Sequence, residues 1–202
     1  MNIPVDDVHR MRLLRVGRGL EWCTLAWNVI GFVVLAVLAV RAASVALAGF
    51  GLDSVIEIGA SVVVLWELAG TGAARQERAL RLIGVAFIAL AVYLTVQSVT
   101  ALVTGHHARP SAGGIAWSAI TAAVMFSLAA AKGRVGRALR NPVLQTEGRV
   151  TFIDGVLAVA VLIGVLLDAT LGWWWADPLA GLVIVFYAAR EAITIFRPPS
   201  AA

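Results

Sequence analysis

The sequence predicts an all-α fold, a bundle of six transmembrane helices, and three observations lead to it. Hydrophobic residues make up 60% of the 202-residue chain and charged residues only 14%, whereas charged residues are about a quarter of an ordinary soluble domain. Apolar runs of about 20 residues recur along the chain, and each can cross roughly 30 Å of hydrocarbon as a helix. These runs are continuously apolar and do not alternate, which favours helices over a β-barrel.

The six apolar runs predict six spans, in order, at residues 19–40, 43–69, 80–104, 113–131, 143–171 and 175–195. The first run is predicted to stay as a span and not to be removed as a signal peptide, because it is full length and follows a polar, arginine-rich start. We therefore divide the chain into an N-terminal tail (1–18), a six-span transmembrane domain (19–196) and a short C-terminal tail (197–202). An even number of spans predicts that both termini lie on one side.

Most basic residues lie on one side of the membrane in this predicted topology. Fourteen of the sixteen fall at the termini or in the second and fourth connections, and only Arg41 and Arg109 fall on the other side. The positive-inside rule then predicts cytoplasmic termini in a multi-pass protein of the plasma membrane. Because topology accounts for the net charge of +4, we expect the lipid bilayer as a partner and no nucleic acid.

Acidic residues occur within the predicted spans two and five. Asp53 and Glu57 are four residues apart and share one helix face, while Glu147 and Asp154 are seven apart and also share a face. Glu21 begins the first span. An ionised carboxylate in hydrocarbon is costly, so acids inside the membrane indicate function by default.

A structural role for these acids is the alternative interpretation. An intramembrane acid can cap a broken helix, pair with an arginine such as Arg149, or bridge helices through shared protons. However, several carboxylates from two helices cannot all ionise at close range unless a cation joins them or protons neutralise them. The pattern therefore predicts a pathway for cations or protons.

Two of the acidic segments form a short repeat. "GLDSVIE" (51–57) and "GRVTFID" (148–154) align without a gap, share a glycine at the start and a hydroxyl residue at the fourth place, and end in isoleucine and an acid. With three spans in each half, the two copies would run antiparallel. The repeat predicts two inverted three-helix halves, an arrangement in which transporter sites lie at the interface of the halves.

Three segments carry a resemblance to a known family. They are "ASVALAGFGLDSVIE", "EGRVTFID" and "GWWWADPLAGLVIVFYAAREA". They resemble the acidic motifs of spans two and five, and the segment joining spans five and six, in the cation diffusion facilitators. These are six-span cation efflux proteins, and the likeness extends to short bacterial members.

The resemblance implies a secondary transporter that exports a divalent metal cation. Because a bound cation favours ionised carboxylates and an empty site takes up protons, we expect exchange with protons. The resemblance implies that Asp53, Glu57 and Asp154 are ligands of a mid-membrane metal site, which Glu147, or Thr151, Ser54 or Asn28, could join. Asp177 matches a frequent family acid with a structural role. The resemblance also implies a homodimer in a bacterial inner membrane.

Two departures from the family limit this expectation. Val150 stands where the family most often has histidine, and the cytoplasmic domain that commonly follows span six is not seen in this sequence. Without the histidine, the expected ligands are mainly oxygens, which suit Mn²⁺, Mg²⁺ or Fe²⁺, although Zn²⁺ or Co²⁺ can also bind. Alternatively, the valine marks a paralogue that has lost transport.

Other functions stay open at this stage. One is a small exporter of organic cations, in which Glu21 or Glu57 pairs with a lipophilic ion. Another is a non-transporting membrane partner that packs through small residues such as Gly113 and Gly114. We do not expect an enzyme, since the sequence contains no nucleophile with a base partner, no phosphate-binding loop and no zinc-protease helix. No cofactor is expected beyond the transported metal.

Overall fold

The computed structural model describes residues 5–67, 73–140 and 142–196, and all regular structure in these ranges is α-helical. The helices are α1 (Val5–Ala42), α2 (Val45–Glu67), α3 (Ala73–Thr104), α4 (Ala112–Leu139), α5 (Pro142–Leu171) and α6 (Ala176–Phe196). The predicted all-α fold is confirmed. The predicted C-terminal tail lies outside the described residues.

Five of the six helices are long and apolar enough to cross a membrane: α1, α3, α4, α5 and α6. Within the described residues, α2 is not one of these five, although its 23 residues exceed the about 20 that a span needs. The predicted second span (43–69) begins at α2 and ends outside the described residues. Five spans are therefore confirmed as candidates, and the sixth stays a prediction.

The helices are longer than the apolar runs that predicted them. α1 already begins at Val5, and α4 continues past residue 131 to Leu139. Hydropathy marks only the part of a helix that suits lipid, whereas arginine is a good helix former and lets the helix continue beyond it. Arg140 caps the C-terminus of α4: it adopts a left-handed conformation (φ 50°) and donates its backbone N–H to the carbonyls of Arg137 and Gly136.

Packing joins the helices mainly in pairs. α4 packs along α5, α3 along α6, and α1 along α2. Small residues allow the closest approach of α4 and α5, because a Cβ added at Gly148 would lie only 3.1 Å from the backbone nitrogen of Gly133. Val40 and Val103 on the outer face are 83% and 81% exposed, as expected of side chains that face lipid.

The connection between α1 and α2 is very short, consisting of Ala43 and Ser44, and Asp177 of α6 fixes it. The Ser44 hydroxyl donates to Oδ1 of Asp177, and the backbone N–H of Val45 donates to Oδ2 at 2.9 Å. Asp177 therefore caps the N-terminus of α2, whose first N–H groups have no partner within the helix. This contact is the structural role that the resemblance implied.

Candidate metal centre

Helices α2 and α5 bring three of the four predicted site residues together. One carboxylate oxygen each from Asp53, Glu57 and Asp154 lies within 4.8 Å of the other two. Asp53 and Asp154 are buried. Ligand oxygens around one ion lie within about twice the metal–oxygen distance, roughly 4 to 5 Å for divalent ions such as Mg²⁺, Zn²⁺ and Ca²⁺. The three acids, hereafter the carboxylate centre, are therefore spaced for a single cation.

Local sequence explains this arrangement. Asp53 and Glu57 are four residues apart and so occupy successive turns of one face of α2. Gly51 lets α1 approach α2 closely, because a Cβ at Gly51 would lie 3.1 Å from the Cβ of Leu35. Two turns along α1, Asn28 donates from Nδ2 to Oε2 of Glu57 at 3.0 Å. The amide fixes the orientation of that carboxylate.

A small cavity lies on the α1 and α4 side of the centre. Its volume is about 10 Å³, close to the 10–15 Å³ or so that one water occupies. Trp27 stacks on Trp117 with ring centroids 5.2 Å apart, and both indoles line the cavity. The space on this side of the acids therefore suits one ion or one water.

A second cavity of about 40 Å³ lies on the other side of the same acids. Val150, at the position where the family most often has histidine, lines it, and so does Glu191 of α6. Glu191 lies near the end of the predicted sixth span (175–195) and was not among the predicted site residues. Its spacing contained the signal: Glu191 follows the buried Ile184 by seven residues, which places both on one face of α6.

The donor set fits a divalent cation. Oδ2 of Asp154 is buried and has no hydrogen-bond partner within the described parts of the chain. A buried carboxylate oxygen without a partner is costly, and three carboxylates at this range repel one another when ionised. A cation between them relieves both penalties, and carboxylate oxygens are ligands for Mg²⁺, Mn²⁺, Fe²⁺ and Zn²⁺.

Glu147, the fourth predicted site residue, lies outside this group. Its Oε2 is 3.7 Å from Nζ of Lys132, which also lies 3.0 Å from Oε2 of Glu21. Lys132 follows the predicted fourth span (113–131), which puts it in the fourth connection; this placement is wrong, since α4 continues through Lys132 and buries it completely. Arg149, the partner considered from sequence, is exposed.

Comparison with known proteins supports the predicted family. The family model described as "Cation efflux transmembrane domain" matches residues 79–200, which include Asp154 but neither Asp53 nor Glu57. Transmembrane protein 163 of Xenopus laevis is 24% identical over 181 residues, which are 84% of this chain and 64% of that protein. The chain thus spans less than two thirds of this relative's length. Because the domain match covers more than half of the sequence, the chain belongs to the cation efflux family.

Proposed function

We propose that this protein is a secondary transporter that exports a divalent metal cation through the carboxylate centre, in exchange for protons. The observation that carries the proposal is the convergence of Asp53, Glu57 and Asp154 within 4.8 Å, from two different helices, inside the bundle. Membership of the cation efflux family supports a cation as the transported species.

Exchange with protons follows from the chemistry of the carboxylates. A bound cation stabilises their ionised forms, whereas in its absence mutual repulsion and low polarity favour protonated forms. Metal and protons therefore compete for the same oxygens. Two protons in place of one divalent cation leave the charge of the centre unchanged, so each species can drive release of the other.

Alternating access would use the two inverted halves, α1 to α3 and α4 to α6. The pairing of helices supports this division, because α1 packs along α2 as α4 packs along α5. The centre lies between α2 and α5, the equivalent helices of the halves, as in other transporters built from inverted repeats. The basic residues favour cytoplasmic termini in a plasma membrane, and the family resemblance favours a bacterial homodimer.

The metal proposed is one that accepts an oxygen-rich site. Val150 supplies no nitrogen beside the acids, so the possible ligand atoms that line the two cavities are mainly oxygens of carboxylates, of the Asn28 amide and of hydroxyls such as that of Ser54. Such donors suit Mn²⁺ and Fe²⁺, and they give Zn²⁺ and Co²⁺ less advantage than imidazole would.

Proteoliposomes provide the test. With an interior pH dye and an imposed Mn²⁺ gradient, the wild-type protein is expected to move metal and protons in opposite directions. Asp154→Asn should reduce both fluxes to the level of protein-free vesicles. Asp168→Asn is the matched control, since it makes the same change near the other end of α5, away from the carboxylate centre.

Two results would contradict the proposal. Full transport by Asp154→Asn would remove the centre from the pathway. Absence of flux with Mn²⁺, Fe²⁺, Co²⁺ and Zn²⁺ in folded wild-type protein would end the metal transport proposal. Proton flux driven only by aromatic organic cations would then favour the organic-cation exporter.

A further inference from the structure

A second group of charged side chains is buried in the bundle, outside the carboxylate centre. It consists of Glu21 on α1, Lys132 on α4 and Glu147 on α5, hereafter the lysine cluster. Lys132 Nζ lies 3.0 Å from Oε2 of Glu21 and 3.7 Å from Oε2 of Glu147. The side chain of Lys132 is 0% exposed, that of Glu21 2% and that of Glu147 16%. Charges buried in a membrane bundle are costly and rarely lack a function.

The lysine cluster lies in line with the carboxylate centre. Glu21 precedes Asn28 by seven residues on α1, and Glu147 precedes Asp154 by seven on α5. Seven residues are two helical turns on the same face, or about 10 Å. Since both glutamates contact Lys132, they lie at one level, displaced from the centre toward the arginine-rich ends of α1 and α4.

Buried hydroxyl groups occupy the turns between the cluster and the centre. Thr24 on α1 and Thr151 on α5 are 3% and 1% exposed. Their hydroxyls donate to the carbonyls of Leu20 at 3.0 Å and Glu147 at 2.9 Å, which leaves their oxygens free to act as acceptors. Polar oxygens thus continue at one-turn intervals along two helices.

The lysine cluster also has an unpartnered carboxylate oxygen and an excess negative charge, both of which favour a bound cation. Oε1 of Glu21 is buried without a hydrogen-bond partner in the described part of the chain. Two carboxylates surround one ammonium, so ionised they carry one more negative charge than the lysine neutralises. A doubly charged ion would balance both glutamates and supply a partner for the orphaned oxygen.

We propose that Glu21 and Glu147 form a transit site for the divalent cation, and that the Lys132 ammonium fills this site between passages. The inference rests on the proposed function for the direction of the path. An arriving ion displaces the ammonium. When the ion moves on to the carboxylate centre, Lys132 returns and its positive charge opposes movement of the ion back through the cluster.

Counting bound metal in purified protein tests the transit site. By equilibrium dialysis with Mn²⁺, the wild type is expected to bind one ion per chain, at the carboxylate centre. Lys132→Met removes the tethered cation and should bind two. Lys132→Arg keeps the charge and should bind one, and adding Glu21→Gln to Lys132→Met should return the number to one. A folded Lys132→Met protein that binds the same number as the wild type would overturn the inference.

The two proposals fail in different ways in this experiment. Asp154→Asn combined with Lys132→Met should keep one ion, at Glu21 and Glu147. Suppose that the wild type bound no ion, while Lys132→Met bound one ion that was lost on adding Glu21→Gln. This result would contradict metal binding at the carboxylate centre and support the transit site.

Glu147→Gln gives an independent test if Lys132→Met does not fold. Since Glu147 lies on the path and not in the centre, the equilibrium affinity for Mn²⁺ should change less than about twofold, while stopped-flow binding should slow by about tenfold or more, a barrier increase of about 1.4 kcal/mol. An unchanged rate, or a loss of affinity equal to that of Asp154→Asn, would refute the inference.

Discussion

At the residue scale, Val150 is the position where this chain departs from its family within the site itself. It precedes Asp154 by one helical turn and lines the same 40 Å³ cavity as the three acids. In the internal repeat, "GRVTFID" aligns Val150 with Asp53 of "GLDSVIE". A metal-binding side chain at position 150 would therefore stand at the position of the repeat where the other copy carries Asp53.

Val150→His should change the metal preference of the centre. An imidazole beside Asp154 supplies the nitrogen ligand that Zn²⁺ favours. We expect Zn²⁺ affinity relative to Mn²⁺ to rise by about tenfold, equivalent to about 1.4 kcal/mol, in competition binding measurements. Val150→Leu is the control, because it adds volume without a ligand. An equal shift in both variants, or none in either, would contradict the role of position 150.

Residue by residue, the sequence predicted the acids on α2 and α5 better than the groups around them. The spacing of Asp53 and Glu57 placed them on one face because that spacing is a property of a single helix. The burial of Lys132, and the position of Glu191 beside the carboxylate centre, depend on which helices pack together. Hydropathy indicates only that Lys132 follows the predicted fourth span and that Glu191 lies near the end of the predicted sixth.

At the scale of single helices, the beginning of α2 depends on a side chain from another helix. Ser44 and Asp177 satisfy the first N–H groups of α2, and Oδ2 of Asp177 accepts from both Val45 and Ala46. This contact ties α2, which carries two of the three acids, to α6. The resemblance implied a structural role for Asp177, but the partner in α2 emerged only from the fold.

Asp177→Ala should destabilise the protein without removing a metal ligand. It leaves buried donors of Ser44 and Val45 without an acceptor, which costs about 1–3 kcal/mol for each unsatisfied group. We expect a lower melting temperature in detergent, while Mn²⁺ binding at low temperature persists. Asp168→Ala, near the other end of the connection between α5 and α6, should change the melting temperature much less. Loss of Mn²⁺ binding with unchanged stability would instead make Asp177 a ligand.

At the scale of the whole molecule, the fold was predictable because bilayer thickness sets the length of each apolar run. Helix ends were less predictable, since the arginine-bearing turns of α1 and α4 continue beyond the lipid-compatible residues. The family resemblance identified more of the candidate site residues than the helical periodicity did. It singled out Asp53, Glu57 and Asp154 as a set, whereas Glu147 lies with Lys132 and Glu21 two turns away.

Different helices line the two sides of the carboxylate centre. α1 and α4 line one side of the carboxylate centre, and α3 and α6 line the other. A cavity on each side, of about 10 and 40 Å³, leaves the acids between two sets of helices.

The most direct test of the account is the position of a bound ion. Anomalous diffraction from crystals of the wild-type protein grown with Mn²⁺ would locate the metal without reference to transport. We expect an anomalous peak between the carboxylates of Asp53, Glu57 and Asp154, absent from Asp154→Asn crystals under the same conditions. A peak elsewhere in the bundle, with these three side chains apart or facing lipid, would contradict it.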